Sequence, residues 1–184
     1  MHPVPVTCRA TARWPDEPGA GRAPRRLACM KIGIGSDASG YDLKGIIVEH
    51  LSQQGHEVVD YGPLEGETPE YSATYARKVA HAIRDGEVER GVLICGTGIG
   101  ISISANKVRG IRAAVCSEPF TARHTRENNG SQIIAFGAFV VGPEVAKAIV
   151  DAFLGAEFKG LTDPEFQSRF NKIAAIEDEE LALA

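Results

Sequence analysis

The chain has 184 residues, of which 43% are hydrophobic, and a formal net charge of −4. This length supports one domain with a substantial core, and the charge lacks the basic excess of nucleic-acid binding proteins. The sequence holds no apolar run long enough to cross a membrane. We therefore expect neither a nucleic-acid nor a membrane partner.

The four cysteines, Cys8, Cys29, Cys95 and Cys116, are widely separated along the chain. Their positions do not follow the short spacings of metal sites, and a chain of this size does not need disulfides to fold. The sequence therefore predicts reduced thiols, a cytoplasmic protein and no bound metal.

Residues 1–29 differ from the rest of the chain. They contain five arginines, two carboxylates and five prolines, with no apolar period, so they carry a net charge of +3 and the remainder carries −7. This composition predicts a disordered tail, and the central apolar region of a secretory signal is missing. Met30 directly precedes the first predicted strand, which is what an upstream start codon would produce. We therefore predict one domain over 30–184.

Strands and helices are predicted to alternate along this domain. Short apolar runs predict five strands, at 31–36, 57–61, 92–95, 111–116 and 132–136. Apolar residues at helical spacing predict helices after each strand, and three of these apolar stripes begin at Leu43, Tyr71 and Val145. A further helix is predicted to run through Asn106, another to cover 119–128, and a last one to contain Phe166.

This alternation predicts a doubly wound, three-layer α/β/α fold with a five-stranded parallel sheet. The flavodoxin-like strand order 2-1-3-4-5 is a common solution for five strands. In that order, ligands bind outside the carboxyl ends of strands one and three. The two turns at that point are 37–40 and 95–100, so the topology predicts that Asp37 lies close to Cys95.

The glycine-rich stretch at 92–107 is the strongest candidate for a chemical site. It brings the Cys95 thiol to the end of a buried strand, beside the start of a helix and the glycines of the turn. Such a turn lets backbone N–H groups approach an anion, and a thiol in this field is a candidate base or nucleophile. A tight connection with an inert, buried cysteine is the alternative. A dinucleotide fingerprint would need glycine where Ile101 stands, and no Gly-Lys-Ser/Thr of a P-loop follows.

Several stretches of the chain closely resemble the ribose-5-phosphate isomerase B family, which also includes the galactose-6-phosphate isomerase subunits. The resemblance extends from residue 30 to about 177, and its most specific part is the CGTG block with the ANK tail. The matching stretches are MKIGIGSD at 30–37, ICGTGIG at 94–100, SANK at 104–107, GIRA at 110–113, CSEP at 116–119, AFG at 135–137 and VVG at 140–142.

The resemblance implies an aldose–ketose isomerase of phosphorylated sugars that needs no metal or other cofactor. It implies a homodimer or a dimer of dimers with the active site at the interface. By resemblance, Cys95 would remove the proton next to the carbonyl, Thr97 would move a proton between the substrate oxygens, and Asp37 would bind substrate hydroxyls. The enediolate would be held by the turn residues Gly96, Gly98, Ile99 and Gly100, together with Asn129.

Two histidines that family members acting on ribose 5-phosphate usually carry are missing. Ala38 follows the first aspartate, where one helps to hold the phosphate, and Asn128 precedes Asn129, where the other is thought to open the sugar ring. Of the two arginines that the partner chain normally contributes to the phosphate, Arg169 matches one and the other position falls near Glu165. Further candidates for phosphate binding are Lys159, Arg112 and Arg126.

Three functions therefore remain open at this stage. Ribose 5-phosphate is the default substrate of the family. Ala38 and Asn128 favour a tetrulose 4-phosphate, which cannot form a furanose ring because its O4 is phosphorylated and so needs no ring-opening group. Two alternatives keep a cyclic substrate. In one, Asn128 only orients the substrate and ring opening is uncatalysed and slow. In the other, His124, one helical turn before Asn128, replaces the missing acid–base group. A non-catalytic sugar-phosphate-binding subunit is the alternative to an enzyme, although the intact Cys95 argues against it.

Overall fold

The computed structural model describes residues 29–182, in which five parallel strands alternate with helices. The strands are β1 Lys31–Ser36, β2 Glu57–Asp60, β3 Arg90–Cys95, β4 Ala113–Val115 and β5 Ile133–Gly137. The α-helices are α1 Tyr41–Gln53, α2 Ser72–Arg84, α3 Ile99–Ala105, α4 Pro119–Asn129, α5 Pro143–Leu154 and α6 Pro164–Ala182. Apart from Cys29, the predicted tail lies outside the described residues.

The three-layer α/β/α prediction is confirmed, but the predicted strand order is wrong in its last two places. The order is β2-β1-β3-β5-β4, so β5 lies between β3 and β4. The reason is burial: every residue of β5 is buried, whereas the three residues of β4 are only partly covered or exposed. A strand that is apolar on both faces needs a neighbour on each side, and a short, partly exposed strand is suited to an edge.

Two apolar clusters cover the two faces of the sheet. Because side chains alternate along a strand, Ile94 and Cys95 point to opposite faces. Ile94 lies in the larger cluster, which contains the apolar stripes of α1, α4 and α5. Cys95 lies in the smaller cluster with the buried faces of α2 and α3. The sequence therefore places the thiol on the α2–α3 face of the sheet.

Glycine permits the close approach of α2 to this face. A Cβ atom at Gly91 would lie 2.8 Å from Val79 Cγ1 and 3.1 Å from Ile83 Cδ1. Val79 belongs to the predicted apolar stripe of α2 and is fully buried. The absence of a side chain on β3 at this level therefore sets how closely the helix packs against the strand that carries Cys95.

A buried ion pair joins α1 to the loop after β2. Lys44 Nζ lies 2.7 and 2.8 Å from the two carboxylate oxygens of Asp60 and donates a third bond, of 2.6 Å, to the carbonyl of Pro63. The Lys44 side chain is only 4% exposed and that of Asp60 is 29% exposed. Since a buried ammonium group needs all of its donors satisfied, this contact fixes the loop against the first turn of α1.

The cysteine prediction is confirmed at two positions and wrong at a third. Cys95 and Cys116 are free and buried. Cys29, which is exposed and lies just before β1, is disulfide-bonded. Cys8 lies outside the described residues. Over 29–182, none of the helices combines the length and apolarity needed to span a membrane.

We predict that Lys44→Met lowers the free energy of unfolding by about 2–4 kcal/mol, because it leaves the Asp60 carboxylate without its partner in a largely buried position. The matched control is Lys31→Met, which breaks the exposed pair of Lys31 with Glu57 and is expected to cost less than about 1 kcal/mol. Urea denaturation followed by circular dichroism measures both values. Equal losses in the two variants would contradict a structural role for the buried pair.

Candidate active site

Three turns meet at the carboxyl edge of the sheet. The turn after β1 joins the end of β3 through Asp37 N, which donates to the carbonyl of Ile94 over 3.2 Å. The turn after β5 joins it through Ala138 N, which donates to the carbonyl of Cys95 over 2.8 Å. The prediction that Asp37 lies close to Cys95 is therefore confirmed for the backbone.

The Cys95 thiol lies at the centre of this edge. The residue is 5% exposed, and its Sγ accepts a hydrogen bond of 3.1 Å from the backbone N–H of Gly98. Thr97, between them, is exposed, and its Oγ1 accepts a bond of 3.3 Å from the N–H of Ile99. The turn therefore presents a nearly buried sulfur and an accessible hydroxyl within three residues of each other.

Two glycines make this turn sterically feasible. Gly98 has a φ of +81°, and a Cβ atom there would lie 2.8 Å from the backbone of Phe136. A Cβ atom at Gly137 would lie 2.5 Å from Thr97 Cα. Because the backbones of the Cys95 turn and of β5 are in contact at both points, a side chain at either position would displace the N–H group that donates to Cys95.

Asp37 uses one carboxylate oxygen to hold its own turn. Its Oδ1 accepts bonds of 2.9 Å from Ser39 N and 3.3 Å from Gly40 N, and so caps the 3-10 turn Ala38–Gly40. Among the described residues, no hydrogen bond uses Oδ2. Ala38, which follows, is exposed. The turn thus offers one free carboxylate oxygen and a small apolar side chain beside it.

Asn128 and Asn129 lie at the opposite edge of the sheet from Cys95. Helix α4 starts after the carboxyl end of β4 and ends at Asn129, a few residues before β5 begins at Ile133. Ile133 pairs with Gly91, four residues before Cys95, which corresponds to a separation of about 13 Å along the strand. Within one protomer, Asn129 therefore does not lie beside Cys95.

Arg169 also lies at this amino edge. It follows the first turn of α6, where its guanidinium pairs with Glu165 one turn earlier. Phe170, next in the chain, lies under the Arg112 guanidinium with 4.4 Å between Arg112 Cζ and the ring centroid. Since Arg112 immediately precedes β4, this contact places the start of α6 beside the amino ends of the strands.

The other cationic candidates belong to the same edge and are engaged with the protein. Arg112 donates to the carbonyls of Asn129 and Gly130 over 3.2 and 3.1 Å, so it holds the end of α4. Lys159 pairs with Glu127 over 3.1 Å. Arg126 is 9% exposed and donates to the carbonyl of Ser131. Burial, and then repulsion from Arg90 and Arg112, lowers the pKa of Arg126 to about 10.

His124 and Asn128 contact one another on the surface of α4. Asn128 Nδ2 lies 2.7 Å from His124 Nδ1, and the imidazole stacks on Phe120 with 5.5 Å between the ring centroids. An amide donor at Nδ1 leaves the ring proton on Nε2 in the neutral form. The structure thus couples these two side chains, as their spacing of four residues allows, at the edge away from Cys95.

Cys116, at the carboxyl end of β4, has a different environment from Cys95. It is 1% exposed, and burial raises the pKa of its thiol to about 11. Its thiol is therefore protonated at neutral pH, which leaves Cys95 as the candidate for chemistry.

Sequence reasoning missed Phe139, which lies against the Cys95 turn. Its N–H donates to the carbonyl of Gly96 over 3.0 Å, and its ring occupies the place where a Gly96 Cβ would be. The wrong strand order hid this contact, because β5 was expected two strands away from β3. The available signal was a phenylalanine two positions after Gly137, in the turn that follows the last predicted strand.

Comparison with known proteins gives consistent matches over the described domain. A family model described as Ribose/Galactose Isomerase matches residues 32–173. The chain is 51% identical over 147 residues to ribose-5-phosphate isomerase B of Escherichia coli, covering 80% of this chain and 96% of the relative. It is 50% identical over 132 residues to D-erythrulose-4-phosphate isomerase of Pectobacterium atrosepticum, covering 71% and 86%. The solved structure of Clostridium thermocellum ribose-5-phosphate isomerase B matches with a TM-score of 0.77 at 48% identity, over 82% of this chain and 99% of that one.

We predict that Gly98→Ala lowers the free energy of unfolding by at least about 1–3 kcal/mol, the cost of the positive φ alone, because the clash with Phe136 adds to it. Gly45→Ala is the matched control. It lies in α1 with nothing within 4 Å of its Cβ position, so it is expected to stabilise the protein by about 0.5–1 kcal/mol. Chemical denaturation of both variants tests this, and a Gly98→Ala protein as stable as the wild type would refute the described geometry of the turn.

Proposed function

The chain belongs to the ribose/galactose isomerase family, and from this premise we propose that it interconverts an aldose phosphate and a ketose phosphate through an enediolate, with ribose 5-phosphate and ribulose 5-phosphate as the first pair. The observation that carries the proposal is the Gly98 N–H directed at Cys95 Sγ, beside the Asp37 turn. A backbone N–H directed at sulfur stabilises negative charge there. The sulfur can therefore act as a base in a nearly dry position.

We assign the proton transfers to Cys95 and Thr97. The Cys95 thiolate takes the proton from the carbon next to the carbonyl; the electron pair of that C–H bond forms the carbon–carbon double bond, and the carbonyl oxygen becomes the enediolate oxygen. The thiol then returns the proton to the former carbonyl carbon. The exposed Thr97 hydroxyl moves a proton between the two substrate oxygens. No external oxidant or reductant is needed, because the two carbons exchange oxidation states.

The remaining turn residues bind the substrate in this proposal. The Gly98 amide is directed at Cys95, where it stabilises the thiolate, and the Ile99 amide donates to Thr97 Oγ1. We therefore assign the enediolate to the amides of Gly96 and Gly100, with Ile99 beside them. The free Oδ2 of Asp37 accepts hydrogen bonds from substrate hydroxyls, with Ala38 beside it. These roles require only groups that the carboxyl edge presents together.

A second copy of the chain would complete the site. Asn128, Asn129 and Arg169 lie at the amino edge, away from Cys95 of the same protomer. We therefore propose a homodimer, or a dimer of dimers, in which the amino edge of one copy covers the carboxyl edge of another. Exposed apolar side chains near the Cys95 turn support this arrangement, since a partner would remove them from water: Tyr71, Ile99 and Ile103.

The substrate phosphate would bind to that second amino edge. The turns at 37–40, 95–100 and 138–143 contain no lysine, arginine or histidine. Cationic side chains of the amino edge, with Arg169 first among them, are the groups that can neutralise a phosphate dianion. Arg169 would have to exchange its carboxylate partner Glu165 for the phosphate.

A tetrulose 4-phosphate is the second candidate substrate. Ala38 and Asn128 offer no imidazole at the two positions where one is expected for ribose 5-phosphate, and an acyclic substrate needs no ring opening. The 50% identity to a relative named D-erythrulose-4-phosphate isomerase supports the same alternative. The coupled His124 and Asn128 side chains at the amino edge would then orient substrate rather than open a ring.

A catalytic thiol also bears on the cellular compartment. Cys95 must remain reduced to act as a base, and thiols stay reduced where glutathione and thioredoxin maintain them. We therefore propose a cytoplasmic enzyme. In the non-catalytic alternative, a sugar-phosphate-binding subunit, the hydrogen bond from Gly98 to the Cys95 thiol beside Asp37 would have no role in chemistry.

The first test is a matched isomerase assay on ribose 5-phosphate, D-erythrulose 4-phosphate and L-erythrulose 4-phosphate. We expect turnover of at least one of them, and a loss of about 100-fold or more in kcat for Cys95→Ala, which removes the base. Cys116→Ala is the matched control and should retain activity. A tenfold preference for a tetrulose phosphate, about 1.4 kcal/mol of transition-state stabilisation, would establish the second candidate. Full activity of pure Cys95→Ala protein would refute the mechanism.

The shared site is tested by mixing two inactive variants. Cys95→Ala and Asn129→Ala each remove one half of every site in a homodimer. After unfolding and refolding together in equal amounts, half of the dimers are mixed and carry one intact site of two, so about a quarter of the wild-type activity should return if pairing is random. Each variant refolded alone is the control. No recovery, with mixed dimers shown to be present by native mass spectrometry, would contradict the shared site.

A further inference from the structure

The position of Phe139 is fixed by the backbone of the catalytic turn. The pairing of Cys95 with Gly137 continues beyond the sheet, where Ala138 N donates to Cys95 O and Phe139 N donates to Gly96 O, over 2.8 and 3.0 Å. Two consecutive hydrogen bonds therefore hold the Phe139 backbone beside the residue that follows Cys95. The side chain of Phe139 therefore starts directly beside this turn.

The ring is packed on Gly96 and still exposed to solvent. A Cβ atom built on Gly96 would lie 2.8 Å from Phe139 Cε2 and 3.0 Å from Cδ2. The residue nevertheless keeps 76% of its surface exposed, whereas Cys95 has 5%. One face of the phenyl ring thus covers the backbone next to the thiol, and the other borders the approach from solvent. The exposed face of an aromatic ring in this position can pack against a bound ligand.

The chemistry of the surrounding turns indicates which part of a ligand the ring meets. Over 37–40, 95–100 and 138–143, Asp37 is the only aspartate, glutamate, lysine, arginine or histidine. A phosphate group has no cation to bind here and must point away, toward the cations of an amino edge. The reacting end of the carbon chain then lies between Asp37, Cys95 and the phenyl ring.

We propose that Phe139 is a specificity-determining residue, whose ring narrows the space over Gly96 and so favours a short, open-chain sugar phosphate over a longer or ring-closed one. This proposal rests on the proposed function and refines its substrate class. An extended carbon chain can lie flat against the ring, with its C–H groups in contact with the apolar face. A furanose is thicker than an extended chain, and a fifth carbon must occupy some of the volume that the ring fills.

The expected size of the effect follows from the size of the group that is excluded. One extra or missing carbon in a fitted site changes kcat/KM by roughly 10- to 200-fold. Phe139→Ala removes the ring but keeps the N–H that donates to Gly96, so the turn itself is retained. We expect the ratio of kcat/KM for ribose 5-phosphate to that for D-erythrulose 4-phosphate to rise at least tenfold in Phe139→Ala, whichever substrate the wild type prefers.

Three further variants serve as controls. Phe139→Tyr keeps the ring and should leave the ratio within about twofold of the wild type, because it adds only a polar atom at the rim. Phe139→Leu should give an intermediate ratio, and it carries the test if the alanine variant does not fold. Val140→Ala removes an exposed apolar side chain, 55% exposed, from the same turn without touching Gly96. Val140→Ala should leave the ratio of the two kcat/KM values unchanged, because the expected change comes from the ring over Gly96 and not from a general loss of apolar surface.

A second readout does not depend on turnover. If the ring borders the approach to the thiol, its removal should increase the rate of Cys95 alkylation by iodoacetamide at pH 8 at least fivefold, measured on the Cys95 peptide by mass spectrometry. Cys116 is the internal reference: burial, which raises the pKa of its thiol to about 11, should keep it unmodified in every folded variant. Phe139→Tyr should react at the wild-type rate.

The outcomes separate this proposal from the proposed function. A raised substrate ratio with Phe139→Ala, absent from Phe139→Tyr and Val140→Ala, supports it. A ratio within threefold of the wild type, with both substrates turned over, overturns it. If the wild type turns over neither of these substrates nor L-erythrulose 4-phosphate, the proposed function fails, and the alkylation rate alone decides whether Phe139 borders the approach to Cys95.

Discussion

The contact between the end of β3 and the end of β5 is the constraint on which the rest of the carboxyl edge depends. Cys95 pairs with Gly137, and neither Gly137 nor Gly98 has room for a Cβ atom, because each faces the backbone of the other segment. This contact fixes the turn after Cys95, and with it the Gly98 N–H that donates to the thiol. The same contact carries Phe139 onto Gly96. This one contact between two backbone segments therefore determines both the hydrogen bond to the Cys95 thiol and the position of Phe139 beside it.

The direction of the parallel strands explains why one copy of the chain presents only half of the candidate residues at each edge. Turns that follow strands lie at the carboxyl edge, and helix ends that precede strands lie at the amino edge. Asp37 and Cys95 belong to the first kind, and Asn128 and Asn129 to the second. Since a rigid sheet cannot bring its two edges together, a site that uses all of them has to be built from two copies.

Charge is divided between the same two edges. The turns at 37–40, 95–100 and 138–143 hold one charged side chain, that of Asp37, whereas Arg90, Arg112 and Arg126 lie close enough at the amino edge for the first two to lower the pKa of the third, after burial has had the larger effect. Such a cluster is unfavourable in isolation and becomes favourable when an anion is near. This division supports a reacting carbon chain beside these three turns and a phosphate at the cationic edge.

The sequence by itself determined the alternation of strands and helices, the thiol at the end of β3 and the closeness of Asp37 to it, because apolar periodicity and glycine turns are local properties and the two turns flank neighbouring strands. Only the tertiary structure decided that β5 lies beside β3, since lateral strand order follows from which strand must be buried on both faces. That choice brought Phe139 to the Cys95 turn. The position of Asn129 away from Cys95 was already contained in the predicted alternation, because a helix that joins two parallel strands ends at the amino edge of the sheet.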